Sequence, residues 1–374
     1  MKKIAVILML MLCFTMTAAA EESQIDSFMR ASGSDELSDY IDDDTVQNLE
    51  KLGIKRARQD DILQITMDGI FGVLTNIIKQ RSQGPLRTVF VIIGVILLCS
   101  MFKSAQNTFV LGEQKSVFEV VSVLFICAVV LLPLTGMISL AGNLIKTASG
   151  FMSAFVPVYT GIIIANGQLI TAATYTTVLM GATQAMSGIN AFILTPFMSV
   201  YFALCLVGSA SPDLKISAVA ELVKKLVTTV LTFLTTLFII LLSVQSLVSN
   251  AGDTMTMKTA KFMSGSFIPF VGGAIAEALS TLSGCMNLIK VTVGSYAIIV
   301  LLLIFLPVVV ELLLWQLAIH VSSAVSGLFG IDAVTGLLKC AGSAVKVIMS
   351  ITIMCGVLYL ISAVIMITTG MGTV

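Results

Sequence analysis

Two carboxylates, Glu277 and Glu311, stand inside long apolar runs and are the side chains best placed for chemistry. Glu277 follows the glycine pair Gly272-Gly273, and Glu311 lies between Pro307 and Trp315. An ionisable group in a membrane segment costs about 2.5–3.5 kcal/mol on insertion scales, so it faces a polar interior or a partner. Each glutamate therefore reads as a proton or ion site, or as the lining of a path. The plainer reading keeps Glu277 at a span end, satisfied by Lys290 or by headgroup water. For Glu311 it makes Pro307 the mark of a span end. His320 is the sole histidine, one helical turn from Gln316, and cannot build a multi-histidine metal site. It reads as an interfacial or packing residue, as does the single tryptophan, Trp315. Asn166 and Gln168 read as caps of a turn. The sequence holds no Walker A run, no GxSxG elbow, no HExxH and no paired acids at helical spacing in the apolar body. No catalytic residue, cofactor or metal site is expected, and the chain reads as a non-enzyme.

The elements that would carry these residues are set by composition. Of the 374 residues, 57% are hydrophobic and 11% charged. Soluble chains carry roughly 25% charged residues. So large an apolar surplus needs the lipid bilayer as part of its solvent, and in lipid the backbone must bond to itself. The fold class that follows is all-α, a polytopic helical membrane protein. Charge divides the chain: residues 21–87 hold 13 acids and 8 bases, while residues 88–374 hold 8 acids and 11 lysines. A basic stripe with arginine or aromatic readers is missing, so nucleic acid is not an expected partner. Cys99, Cys127, Cys205, Cys285, Cys340 and Cys355 lie in apolar segments without CxxC spacing and read as buried free thiols.

The first 20 residues have the pattern of a secretory signal peptide. Lys2 and Lys3 precede a short apolar stretch, and Ala18-Ala19-Ala20 supplies small residues before Glu21. Cleavage is expected between Ala20 and Glu21. Residues 21–87 then form an acidic extracytoplasmic segment, partly helical, with helices near 45–52 and 61–78 and a stop at Gly84-Pro85. A first pair of transmembrane helices occupies residues 88–140. Further apolar runs follow at 151–165, 191–207, 226–248, 262–282, 291–319 and 344–369, with more polar stretches between, and seven to ten crossings are expected. Lys103, Lys115, Lys215, Lys224 and Lys225 are expected on the cytoplasmic side.

An ordered series recurs within this body. Lys146-Thr147-Ala148 is followed by Phe155-Val156-Pro157 and Gly161, and Lys258-Thr259-Ala260 by Phe267-Ile268-Pro269 and Gly273, at an offset of 112. Pro196 and Pro307 recur at an offset of 111. Residues 141–251 and 252–374 therefore read as two tandem copies of one helical unit. Proline removes a backbone donor and glycine permits sharp turns or close approach. Phe155, Pro157, Gly161, Phe267, Pro269, Gly272 and Gly273 thus mark either a pair of Pro/Gly-broken segments lining a path or a pair of proline-kinked packing helices.

The stretch Ser266-Phe267-Ile268-Pro269-Phe270-Val271-Gly272-Gly273, with Phe155-Val156-Pro157-Val158-Tyr159, the signal pattern and the acidic segment, resembles the stage III sporulation protein AE family of endospore-forming Firmicutes. The resemblance covers essentially the whole chain. It implies a multi-pass protein of the mother-cell-derived membrane around the forespore. It implies partners too: the other proteins of the stage III sporulation AA–AH complex and forespore protein Q, which together build a channel. It implies a transport or channel-forming role in late forespore development, with a membrane platform for ring-forming proteins as the alternative. It brings no catalytic residues. Self-association is left open.

Overall fold

The computed structural model describes residues 33–54, 57–108, 115–189, 195–210, 216–267 and 272–368. Among these residues the protein is all-α. A 3-10 turn, Ser34–Tyr40, leads into α1 (Asp43–Lys51), α2 (Gln59–Leu63), α3 (Met67–Thr108), α4 (Lys115–Ala165), α5 (Leu169–Ile189), α6 (Thr195–Ala210), α7 (Ile216–Phe267), α8 (Gly272–Leu328) and α9 (Asp332–Thr368). Parts of α3, α4, α7, α8 and α9, of 35, 42, 25, 45 and 37 residues, are long and apolar enough to cross a membrane. One crossing takes about 20 residues, so four of these helices exceed a single bilayer thickness by a wide margin. The signal pattern, with Ala20 and Glu21, lies outside the described residues.

Fewer and longer helices form than the apolar runs suggest. The runs at 117–140 and 151–165 are one helix, α4, which passes through Pro133 and Pro157. Gly84-Pro85 does not stop the early helix, because Pro85 lies inside α3. The physical reason is general. Inside an apolar environment a broken backbone bond has no water to replace it, so proline and glycine punctuate weakly. The unit boundaries expected at 140/141 and 251/252 fall within α4 and α7, and the two-copy organisation is not evident from the helix order. The first Phe-Val-Pro motif sits in unbroken α4. The second straddles the end of α7 and the start of α8, and Pro269 lies outside the described residues.

Left-handed glycines make the two helical hairpins. At the α4–α5 turn, Gly167 has φ 78°. There Gln168 N–H donates to Ile163 O (3.1 Å) and Gly167 N–H to Ile164 O (2.9 Å). At the α8–α9 turn, Gly330 has φ 65°, with Ile331 N–H donating to Ser326 O (3.2 Å). Both are Schellman closures, which satisfy carbonyls the helix end would leave bare. The α8–α9 hairpin is the centre of the core. A Cβ on Gly356 would lie 2.9 Å from Phe305 Cδ1, and one on Gly342 would lie 3.4 Å from Ile319. These positions mark an antiparallel seam. Helix α4 also runs antiparallel to α8, with the Tyr159 ring beside Gly294 and Gln168 reaching Lys290. Helix α3 runs parallel to α8, with Arg81 beside Glu311 and Gly84 beside Trp315.

The thiols divide. Cys99, Cys127, Cys285 and Cys355 form no disulfide. Cys340 is disulfide-bonded, which corrects the expectation of a free thiol at that position.

Candidate functional site

Glu311 is not alone, and Pro307 does not end its helix. Pro307 is buried inside continuous α8, one turn before it. From α3, Arg81 Nη1 donates to Glu311 Oε2 (3.1 Å) while Nη2 donates to Asp44 Oδ2 of α1 (2.6 Å). The planar guanidinium can hold two carboxylates at fixed directions, which a lysine cannot. The arginine side chain is 25% exposed and the two acids 47% and 20%, so solvent screens each pair. Exposed pairs are worth about 0.2–1 kcal/mol each. The arrangement joins three elements: an N-terminal helix, the first long helix and the core helix. It consumes the carboxylate that the sequence offered as a proton or ion site.

Glu277 lies on α8; its side chain and that of Phe267 are outside those described, as are the surroundings of Gly272 and Gly273. Lys290 is fully buried, and its Nζ donates to Gln168 Oε1 (3.4 Å), itself buried at the α4–α5 turn. Gln168 therefore does more than cap. Around this point Tyr159 Oη and Asn287 Oδ1 are buried without a hydrogen-bond partner. A buried polar atom left bare costs about 1–3 kcal/mol, and small polar sites of this kind hold ordered water. The neighbourhood has the makings of a hydrated polar spot within an apolar core.

The first motif serves packing. Phe155 is fully buried between Phe151 (6.0 Å between centroids, stacked) and Tyr159 (5.1 Å, tilted). These three lie at i, i+4 and i+8 on one face of α4. Pro157 and Gly161 sit on the opposite, exposed face. Trp315 is buried beside Gly84, and His320 is exposed. Among the described residues no group of three or more His, Cys, Asp or Glu could hold a metal ion.

Sequence reasoning singled out Glu311 but missed Arg81, which lies in a segment of mixed charge where no single residue stands out. It treated Lys290 only as a partner for Glu277. The signal was present: a lone lysine just before the most apolar run of the chain must be either at an interface or paired.

Residues 51–370 match the family model described as stage III sporulation protein AE. The curated stage III sporulation protein AE of Bacillus subtilis (strain 168) is 25% identical over 211 residues, 56% of this chain and 52% of that relative. The chain thus aligns with about half the length of the curated relative. No solved structure matches.

Proposed function

The chain belongs to the stage III sporulation protein AE family, and on that premise we propose that it is a transport or channel-forming membrane subunit of the complex linking mother cell and forespore. The observation that carries this reading is the extent of the family match. It takes in all five apolar helices in full. Polar groups buried among those helices support transport over a purely anchoring role. The proposal includes a signal peptide at residues 1–20, an extracytoplasmic residence for the segment that follows, and a body of two related units. It includes the other AA–AH proteins and forespore protein Q as partners, and no catalytic role. The test is a strain deleted for this chain. It should engulf the forespore and then fail in late forespore development, with rescue by the full chain in the mother cell. Completion of forespore maturation without the chain would overturn the reading.

One observation favours the platform alternative. The 3-10 turn and α1 pack onto α4 and α8, and Arg81 ties Asp44 to the body, so the N-terminal segment is a formed cap. Exchange of residues 33–66 for an unrelated acidic linker separates the two. Lost partner recruitment favours the platform. Retained recruitment with arrested development favours the channel.

A further inference from the structure

The exposed surfaces of the long helices are of two kinds. On α3 they are Leu86, Phe90, Leu97, Leu98 and Met101, and on α7 Leu226, Phe233, Leu237, Ile240 and Val244. Those faces suit lipid. Helix α4 begins the same way, with Leu124, Phe125, Leu131 and Leu132 exposed. It then changes. Its outward positions from Ser139 to Gly161 are Ser139, Asn143, Lys146, Gly150, Pro157 and Gly161, in steps of three, four or seven, before the helix ends on exposed Ile164 and Ala165. At about 100° per residue these fall on one face.

Helix α5 extends that face. Its outward positions include Thr177, Gly181 and Gln184. The mutual rotation of the two helices is fixed by two contacts. Ser149 Oγ donates to Thr183 O (3.2 Å), and the Thr160 and Thr176 hydroxyls share a hydrogen bond (2.7 Å). With that rotation and antiparallel sense, the two exposed faces emerge on the same side of the hairpin. A second observation is independent of the first. Helix α5 is long enough to span, at 21 residues, yet is not among the five helices apolar enough to do so.

Polar side chains such as Asn143, Lys146 and Gln184 cost a few kcal/mol each against lipid, by the reasoning applied to the glutamates. Water or protein must cover them. We propose that the α4–α5 face, from Ser139 to Gly161 and from Thr177 to Gln184, lines a water-filled path. This rests on the transport reading and names its wall. Within the single chain, a Cβ on Gly150, Gly161 or Gly181 would meet nothing within 4 Å, so a side chain can be added there without disturbing the fold. Lys146 is the one charge on the face, so the path suits small anionic or neutral polar solutes rather than cations.

The test is thiol accessibility. Single cysteines are placed at Gly150, Gly161 and Gly181, with controls at Phe233 and Leu237, in the full chain with Cys99, Cys127, Cys285 and Cys355 replaced by alanine. In membrane vesicles only the thiolate, which forms in contact with water, attacks a charged, impermeant thiol reagent. The path positions should label roughly tenfold faster than the controls or better. Beside this, Gly150→Trp should arrest forespore maturation at normal membrane abundance, while Gly150→Ala should not. Labelling by lipophilic maleimide alone would assign the face to lipid and overturn the proposal. Disulfide cross-links between copies without reagent access would assign it to self-association and do the same. Fast labelling with full function in Gly150→Trp would leave a wet surface but no path. Each of these outcomes stands apart from failure of the transport reading, which a deletion strain that completes maturation would reveal whatever labels.

Discussion

At the scale of single residues, one arginine and one lysine govern what the apolar body can tolerate. Arg81 is shared between Asp44 and Glu311. Replacing it with glutamine removes two screened pairs at once, for a loss of about 1 kcal/mol or a little more. The N-terminal cap should then open more often, and protease cleavage within residues 33–66 should rise several-fold in membranes. Asp44→Asn and Glu311→Gln should each do less than Arg81→Gln. Equal cleavage of all four chains would show that apolar contacts alone hold the cap. Lys290 poses the sharper case because it is fully buried against Gln168. Lys290→Ala leaves a cavity and strips Gln168 of a donor, a loss of about 2–4 kcal/mol. Lys346→Ala, at an exposed site on α9, should fall within about 0.5 kcal/mol. Thermal unfolding in detergent compares them, and equal midpoints would refute the buried role of Lys290.

At the scale of elements, the glycines divide into those that let helices meet and those that face open space. The Phe305 ring lies 2.9 Å from where a Cβ on Gly356 would sit. A ring in a packed seam has little freedom to move, so Gly356→Ala should cost about 1–3 kcal/mol through overpacking. Gly161 has nothing within 4 Å. There, alanine should be neutral or stabilising by about 0.5–1 kcal/mol, since glycine is the poorer helix former. Unfolding midpoints moving in the same direction for both variants would sink this division. The two glycines also show how far the sequence could be read. Gly161 was visible through its motif, Gly356 was not, because close approach depends on which helix lies opposite. The same holds for the helices. Their apolar character was plain in the runs themselves, and so the all-α membrane class was legible. Their lengths were not. Pro157 and Pro307 looked like punctuation, and the backbone passes through both. Glu311 was legible as a candidate because a carboxylate in an apolar run is conspicuous. Its partner was not, since Arg81 lies 230 positions away in the chain.

At the scale of the whole molecule, the seams fix which ends of the helices lie together. Helix α8 carries Lys290 beside the α4–α5 turn, and it leads at its other end to the α8–α9 turn at Gly330. Forty residues separate them, about 60 Å of helix, against a hydrocarbon core of about 30 Å. The turns at 166–168 and 329–331 should therefore lie on opposite sides of the membrane. Because α3 runs parallel to α8, its Lys103 end belongs with the Gly330 turn. That end also gathers Lys115 at the start of α4 and Lys339 early in α9. The positive-inside preference makes it cytoplasmic. The α4–α5 turn then lies outside, on the side where a signal peptide would leave the N-terminal cap. Reporter fusions read this directly: an active alkaline phosphatase is expected within 166–168 and an inactive one within 329–331, with a cytoplasmic reporter giving the inverse. Reversed signals would keep the fold and turn the molecule over. Equal signals at the two turns would mean that α8 does not cross, and would remove the wall on which an α4–α5 path depends.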